Sequence, residues 1–432
     1  MIRFFKFFAF VALILFLVVF NLMAIHNFKV LSSDMIYGDG RAKEIFIGLR
    51  CGIFRIPDNE LTVMHDGNGR IAGDFAQVYF PSVVQQDDFY SKQSGDPFQR
   101  QSRYAPMVHL IYKYTLCKLS YGWASWWHLV IQVLFFYISI GVALIVFKRK
   151  SYIPLALLFS NAIIFATPVG MSFIERGQFS LFVAMAYLWL LLGIYQKRHI
   201  FFVFAAICTF FKWTSIPFVF VVMLIWLISE IKQKNNLKPL LYLMATYVLT
   251  FLALLLMGFP YLTPFLKGLL DQESSFHATS LSLSLIMNRA TAKLLPLVLI
   301  FIGYLFIKSN RSKSFLDHYL VWTAFGFILV TYPTKAFDYS TPCLLGFLPF
   351  FVAKQAEKIQ FFFSLEDENS FFLHPFDLFL FFGLLFFLSV YDYLSHQLPL
   401  PDHTFQVWTY IICFALFCLR AIWWLNLDSK KG

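Results

Sequence analysis

Eight aspartates, among them Asp34, Asp39, Asp66, Asp74, Asp87, Asp88 and Asp96, fall between residues 26 and 122 of a chain in which only 14% of residues are charged. Farther on stand three cations, Arg103, Arg176 and Lys212, and the amide of Gln178. One carboxylate that takes a proton from a hydroxyl, with cations to stabilise a departing phosphate, is the equipment of a group transfer. Asp74 lies in "RIAGDFAQVYFPSVV" (70–84), after Gly73 and before an apolar run holding Tyr79 and Phe80. A helix opening there would let Asp74 cap it, and capping is compatible with proton abstraction. Asp39, in "YGDGRAKEIFIGLR", is the rival carboxylate.

The other polar positions divide less sharply. Lys212 sits in "CTFFKWTSIPF" (208–218), inside an apolar run, where a cation is expensive and has a partner or a function; snorkelling to the interface is the other account. Glu175 and Arg176, in "ERGQFSLFVAMAYLWLLL", read either as an ion pair at a helix start or as ligand contacts. His277 is placed to assist a phosphate, and Arg289, Lys335 and Asp338 share its setting between apolar runs. All four also fit plain solvated loops. No Asp-x-Asp pair or His/carboxylate cluster has ligand spacing, so no obligatory metal is expected. The six cysteines form no C-x-x-C pair and suggest neither a disulfide framework nor zinc.

These residues need a scaffold, and the composition says which kind. Hydrophobic residues make up 59% of the 432, with 56 phenylalanines. A soluble surface cannot absorb that much apolar side chain, whereas repeated apolar runs long enough to cross ~30 Å of hydrocarbon mark a polytopic membrane protein. The net charge of +11 fits cytoplasmic loops rich in Lys and Arg. No basic patch with interleaved aromatics points to nucleic acid.

Residues 1–25 predict an uncleaved first span. Further spans are expected near 123–147, 152–170, 178–196, 200–212, 215–230, 239–258, 293–308, 315–332, 341–353, 372–391 and 405–426, about twelve in all. The basic clusters at 148–150, 196–199, 232–238, 308–314, 353–358 and 429–431 then share the cytoplasmic side with both termini. The expected divisions are a first helix (1–25), an outer loop (26–122), transmembrane helices two to seven (123–258), a second outer loop (259–292) and transmembrane helices eight to twelve (293–432). In the first loop, residues 41–54 have the alternation of a segment lying flat on the membrane, and 105–123 reads as an interfacial helix leading into the second span. A centre on the outer face cannot draw on cytoplasmic nucleotide sugars. A donor whose lipid tail stays in the bilayer suits it.

The order of "GDFAQVYF" (73–80), "SGDPF" (94–98), "SRYAP" (102–106), "ERGQF" (175–179), "CTFFKWTSIPF" and "FDYSTPCLLGFLPFF" (337–351) resembles glycosyltransferase family 87. These are polyprenyl-phosphate mannosyltransferase-like integral membrane proteins of the GT-C fold. The resemblance covers roughly residues 70–350. It implies an all-α bundle with a long outer first loop, in a bacterial inner membrane, with the active site on the outer face. It also implies inverting transfer of one sugar, mannose among the candidates, from a polyprenyl-phosphate donor to a lipid or glycan acceptor, without a cofactor. Asp74 matches the family's catalytic aspartate. Arg103, Arg176 and Lys212 would hold the donor phosphate, Gln178 the sugar or phosphate, with Tyr79 and Tyr104 as nearby aromatics. Two departures are the insert at 34–69 and the wide Lys-to-Pro spacing in "FKWTSIP". A lipid-linked glycan flippase and an outer-face glycan polymerase or ligase are the alternative readings.

Overall fold

The computed structural model describes residues 2–47, 50–51, 71–84, 89–90, 96, 101–272, 289–309, 319–331 and 338–353. Over these the chain is overwhelmingly helical. The exception is a hairpin in which β1 (Phe46–Ile47) pairs antiparallel with β2 (Arg50–Cys51).

Helix α1 runs from Ile2 to Tyr37, twelve residues past the expected end of the first span. The reason is its face: Asn27, Val30, Leu31, Asp34 and Met35 are buried at helical spacing, against α4 (Tyr121–Val146) and α5 (Ile153–Ala166). Gly38, at φ +64°, ends the helix by donating its N–H to the Asp34 carbonyl at 2.8 Å. Of residues 41–54, expected to lie flat on the membrane, 41–47 and 50–51 are described. A 3-10 turn (Arg41–Glu44) leads into the hairpin, which Asn27 holds by accepting from Phe46 N (2.8 Å) and donating to the carbonyls of Phe46 (2.5 Å) and Phe165 (2.6 Å).

Two short helices follow, α2 (Ala76–Val84) and α3 (Pro106–Tyr114), packed on each other. Thr167 divides α5 from α6 (Pro168–Arg176). Its hydroxyl donates to the Ile163 carbonyl at 2.7 Å and accepts from Gly170 N at 3.4 Å, closing one helix and capping the next. Helix α7 (Ser180–Gln196) is the centre of the bundle, buried at every position from Ser180 to Ile194. Around it pack α4, α8 (His199–Phe211) and the 3-10 segment Asp338–Phe347. Gly346 allows that segment to lie directly on the Ala184 backbone.

The pair expected at 200–212 and 215–230 is α8 and α9 (Ile216–Lys232), joined by Lys212 and one 3-10 turn, Trp213–Ser215. That turn takes up the wide Lys-to-Pro spacing, and Pro217 falls in the first turn of α9, where a missing N–H costs little. Helices α10 (Lys238–Met257), α11 (Leu262–Gln272), α12 (Arg289–Ser309) and α13 (Tyr319–Thr331) complete the described bundle. Residues 262–272, expected in an outer loop, are helical because Phe265 buries one side while Leu266 and Lys267 stay exposed.

Three stretches, Tyr121–Val146, Trp213–Lys232 and Lys238–Met257, are long and apolar enough to cross a membrane, by length and composition among the described residues. Exposed Leu15, Val18, Leu22 and Ile25 on α1, with Leu241, Leu249 and Leu256 on α10, form apolar outer faces compatible with a membrane protein. The segments expected at 372–391 and 405–426 lie outside the described residues.

Candidate functional site

The junction of α6 and α7 builds one wall of the site. Gly177 ends α6 in the left-handed region (φ +63°). Its N–H reaches the Ile174 carbonyl at 3.0 Å, and that of Gln178 reaches Phe173 at 3.1 Å. This paired pattern is the Schellman motif, which favours glycine. A second constraint acts at the same residue. A Cβ on Gly177 would stand 2.6 Å from the Ala72 Cβ and 2.9 Å from that of Phe75. Glycine therefore lets the loop carrying Asp74 press against the helix end.

That loop is clamped from several sides. Ala72 has φ +71°, a costly conformation for a residue with a side chain. Its N–H donates to the Glu175 carbonyl at 3.0 Å, and its own carbonyl accepts from the Tyr121 hydroxyl at 2.7 Å. Asp74 N donates to the Arg176 carbonyl at 2.6 Å. The backbone ends of α6 thus aim the Asp74 side chain.

Asp74 is 7% exposed. Its Oδ2 accepts from Gln178 Nε2, and its Oδ1 from Gln77 Nε2 at 3.4 Å. At the other end of the same amide, Gln178 Oε1 accepts from Lys212 Nζ at 2.8 Å. Carboxylate, amide and ammonium are joined in sequence through Gln178, with the charges held within about 8 Å of each other. Lys212 has an extended backbone, and its carbonyl accepts from Ser215 Oγ at 3.0 Å. Its Nζ lies 4.9 Å from the centre of the Tyr104 ring. Half-buried, it has its pKa pulled down to about 8 by desolvation, with Arg103 adding to the drop and Asp74 opposing it. It remains mostly protonated at neutral pH. Among the described residues Gln178 takes one of its three N–H donors.

A buried polar layer supports this line from α4. Gln132 Nε2 donates to the Gln178 carbonyl at 3.0 Å, and the His128 Nε2 lies 3.2 Å from the Gly177 carbonyl. His128 Nδ1 is 2.8 Å from the Tyr112 hydroxyl, and its ring stacks on Phe75 at 4.6 Å and 17°. A second histidine, His109 of α3, sits between Ser82 Oγ (3.3 Å) and Ser102 Oγ (2.7 Å), with its pKa pushed down to about 3 by burial. Ser102 also accepts from Tyr104 N at 3.3 Å, and the Tyr90 hydroxyl donates to the Tyr104 carbonyl at 2.7 Å. These contacts seat the ring that faces Lys212.

Four of the expected site residues, Asp74, Gln178, Lys212 and Tyr104, therefore meet. Arg103 is exposed but close enough for its charge to act on Lys212. Glu175 and Arg176 close a helix instead of opening one and take part through their carbonyls, with the Arg176 side chain exposed. Tyr79 donates its hydroxyl to the Leu119 carbonyl at 2.7 Å, and burial pushes its pKa up to about 12; it braces the loop. Asp39 sits in the exposed turn after α1, where it accepts from Ser33 Oγ (2.5 Å) and Arg41 N (3.2 Å). Arg289 is the first residue of α12 and Asp338 opens the last 3-10 segment; His277 and Lys335 lie outside the described residues. Among the described residues no group of three or more His, Cys, Asp or Glu could hold a metal.

Gln77, Gln132 and His128 were not expected in the site. Each is a single polar residue in an apolar run, and the one signal of a role is that such a group must find a partner when buried. Comparisons with protein-family models, with curated proteins and with solved structures return no match to this chain.

Proposed function

We propose that the chain is an integral membrane glycosyltransferase of the GT-C type, similar to family 87. In this reading it moves one sugar, mannose among the candidates, from a polyprenyl-phosphate donor to a hydroxyl of a lipid or glycan acceptor on the outer leaflet. The observation that carries the reading is the Asp74–Gln178–Lys212 line. A proton acceptor and a cation stand at opposite ends of one amide, an arrangement compatible with in-line displacement at a carbon placed between them. The acceptor oxygen attacks the anomeric carbon as its proton passes to Asp74. The bond from that carbon to the phosphate oxygen breaks, and the electron pair leaves with the polyprenyl phosphate. Lys212 meets the charge that develops on that phosphate, with Arg103 close by. Single displacement inverts the centre and needs no second carboxylate as nucleophile.

The depth of the site supports a lipid-linked donor. Trp123, Trp126 and Trp127 cluster in the first turns of α4, with Trp123 and Trp127 exposed. Tryptophans of this kind favour the headgroup level of a bilayer. The next residue, His128, stacks on Phe75, the neighbour of Asp74. A bundle of about twelve spans with both termini cytoplasmic belongs to the same proposal.

The test is sugar transfer by the purified protein in detergent. It is supplied with a panel of short-chain polyprenyl-phosphate sugars and native lipid extract, wild type beside Asp74→Asn. Transfer by the wild type, reduced roughly 10²–10⁴-fold in the variant, is expected. Equal transfer by both would move the base elsewhere. No transfer, with lipid-linked glycan scrambled across liposomes, would make the protein a flippase.

A further inference from the structure

Gln77 lies at the start of α2, one turn beyond Asp74, and is 7% exposed. Its Nε2 donates to Asp74 Oδ1, which fixes the amide orientation, since the flipped amide would set oxygen against carboxylate. Its Oε1 is buried and accepts no hydrogen bond among the described residues. A buried carbonyl left in that condition costs about 1–3 kcal/mol, and native interiors rarely keep one without a reason. The amide's own geometry puts this oxygen within about 5.6 Å of Asp74 Oδ1. One charged and one neutral acceptor therefore stand side by side at the proposed base. Two hydroxyls on adjacent carbons span that gap when each donates a hydrogen bond of ordinary length.

We propose that Gln77 is a substrate-binding residue. Its carbonyl accepts from a second hydroxyl, beside the one that Asp74 deprotonates, so the acceptor presents a vicinal diol such as a sugar ring carries. The inference rests on the transferase reading for the identity of the diol as acceptor. The binding of the diol itself can be measured without any transfer.

The experiment uses the full chain in lipid nanodiscs, with methyl hexopyranosides and their monodeoxy analogues as probes and saturation-transfer NMR as readout. Wild type is expected to bind at least one hexoside and to lose up to about tenfold in affinity when one of two adjacent hydroxyls is removed. Gln77→Met, which keeps the volume but has no acceptor, should bind the parent hexoside as weakly as wild type binds the deoxy form. It should lose nothing more with the deoxy form. Should Gln77→Met misfold, Gln77→Ser replaces it, and the wild-type deoxy series stands by itself. Equal binding of parent and deoxy hexosides by wild type, parent binding unchanged in Gln77→Met, or no hexoside binding at all would overturn the assignment. Full transfer by Asp74→Asn alongside the Gln77 signature would remove the base and leave the diol site in place. Loss of transfer in Asp74→Asn with binding indifferent to Gln77 would remove the diol site alone.

Discussion

Gly177→Ala tests the feature on which the site's geometry depends. The residue carries two constraints. Its φ of +63° costs a non-glycine about 1–2 kcal/mol. The new methyl would also stand 2.6 Å from the Ala72 Cβ and 2.9 Å from that of Phe75. Neither neighbour can yield cheaply, because Ala72 is tied through its N–H to Glu175 and through its carbonyl to Tyr121. Overpacking of that kind costs about 1–3 kcal/mol. Together the terms come to about 2–5 kcal/mol. Gly141→Ala is the internal control. It lies within α4 with nothing within 4 Å of the added methyl, and alanine is favoured over glycine inside a helix by about 1 kcal/mol. Thermal unfolding of both variants in one detergent reads the contrast: Gly177→Ala melts below wild type, Gly141→Ala at or above it. Displacement of Gln178 from Asp74 should also depress transfer more than the lost stability explains, since misplacement by about 1 Å can cost 10²-fold. A Gly177→Ala protein that melts with wild type and transfers at its rate would refute the claim that this contact aims Asp74.

Other consequences follow from the same geometry. Since Lys212 must be protonated to meet a phosphate and its pKa is lowered to about 8, kcat/KM should fall as pH rises through about 8, and Lys212→Arg should move that limb upward; a limb that persists unmoved in Lys212→Arg belongs to another group. The stability effect runs the other way: between pH 8 and the ordinary lysine value the unfolded chain holds more protons, so this group favours folding increasingly as pH rises, and urea titrations of wild type and Lys212→Met should diverge across that window. His128→Phe keeps a ring against Phe75 but strips hydrogen bonds from Tyr112 and Gly177, a loss of about 1–3 kcal/mol; unchanged melting would mean these contacts are not made. Tyr114, the last residue of α3 and 66% exposed, should label from outside intact cells when replaced by cysteine; labelling only after permeabilisation would invert the proposed topology.

Much of the scaffold was legible in the chain because apolar run length and cationic punctuation are local properties. The break at "FKWTSIP" and the helices at 238–257 and 180–196 follow from them, whereas the interfacial helix expected at 105–123 ends at Tyr114, before the helix that starts at Tyr121. The end of α1 was not legible, because residues 26–37 are polar enough to pass for loop and stay helical only through the face they bury against α4 and α5. The candidate site divides along the same line. Lys212 stood out as a cation inside an apolar run, whereas Asp74 was one of several loop aspartates and Gln178 entered only through the resemblance to family 87. Nothing in the one-dimensional order tells that Gln178 reaches 104 residues back to Asp74 and 34 forward to Lys212 with the two ends of one amide. Nor does it tell that Arg176 contributes a carbonyl while its guanidinium stays exposed. Residue type and spacing determine which groups are costly to bury. Which of them relieve one another depends on the close approach of two backbones at Gly177, and only the tertiary structure decides that.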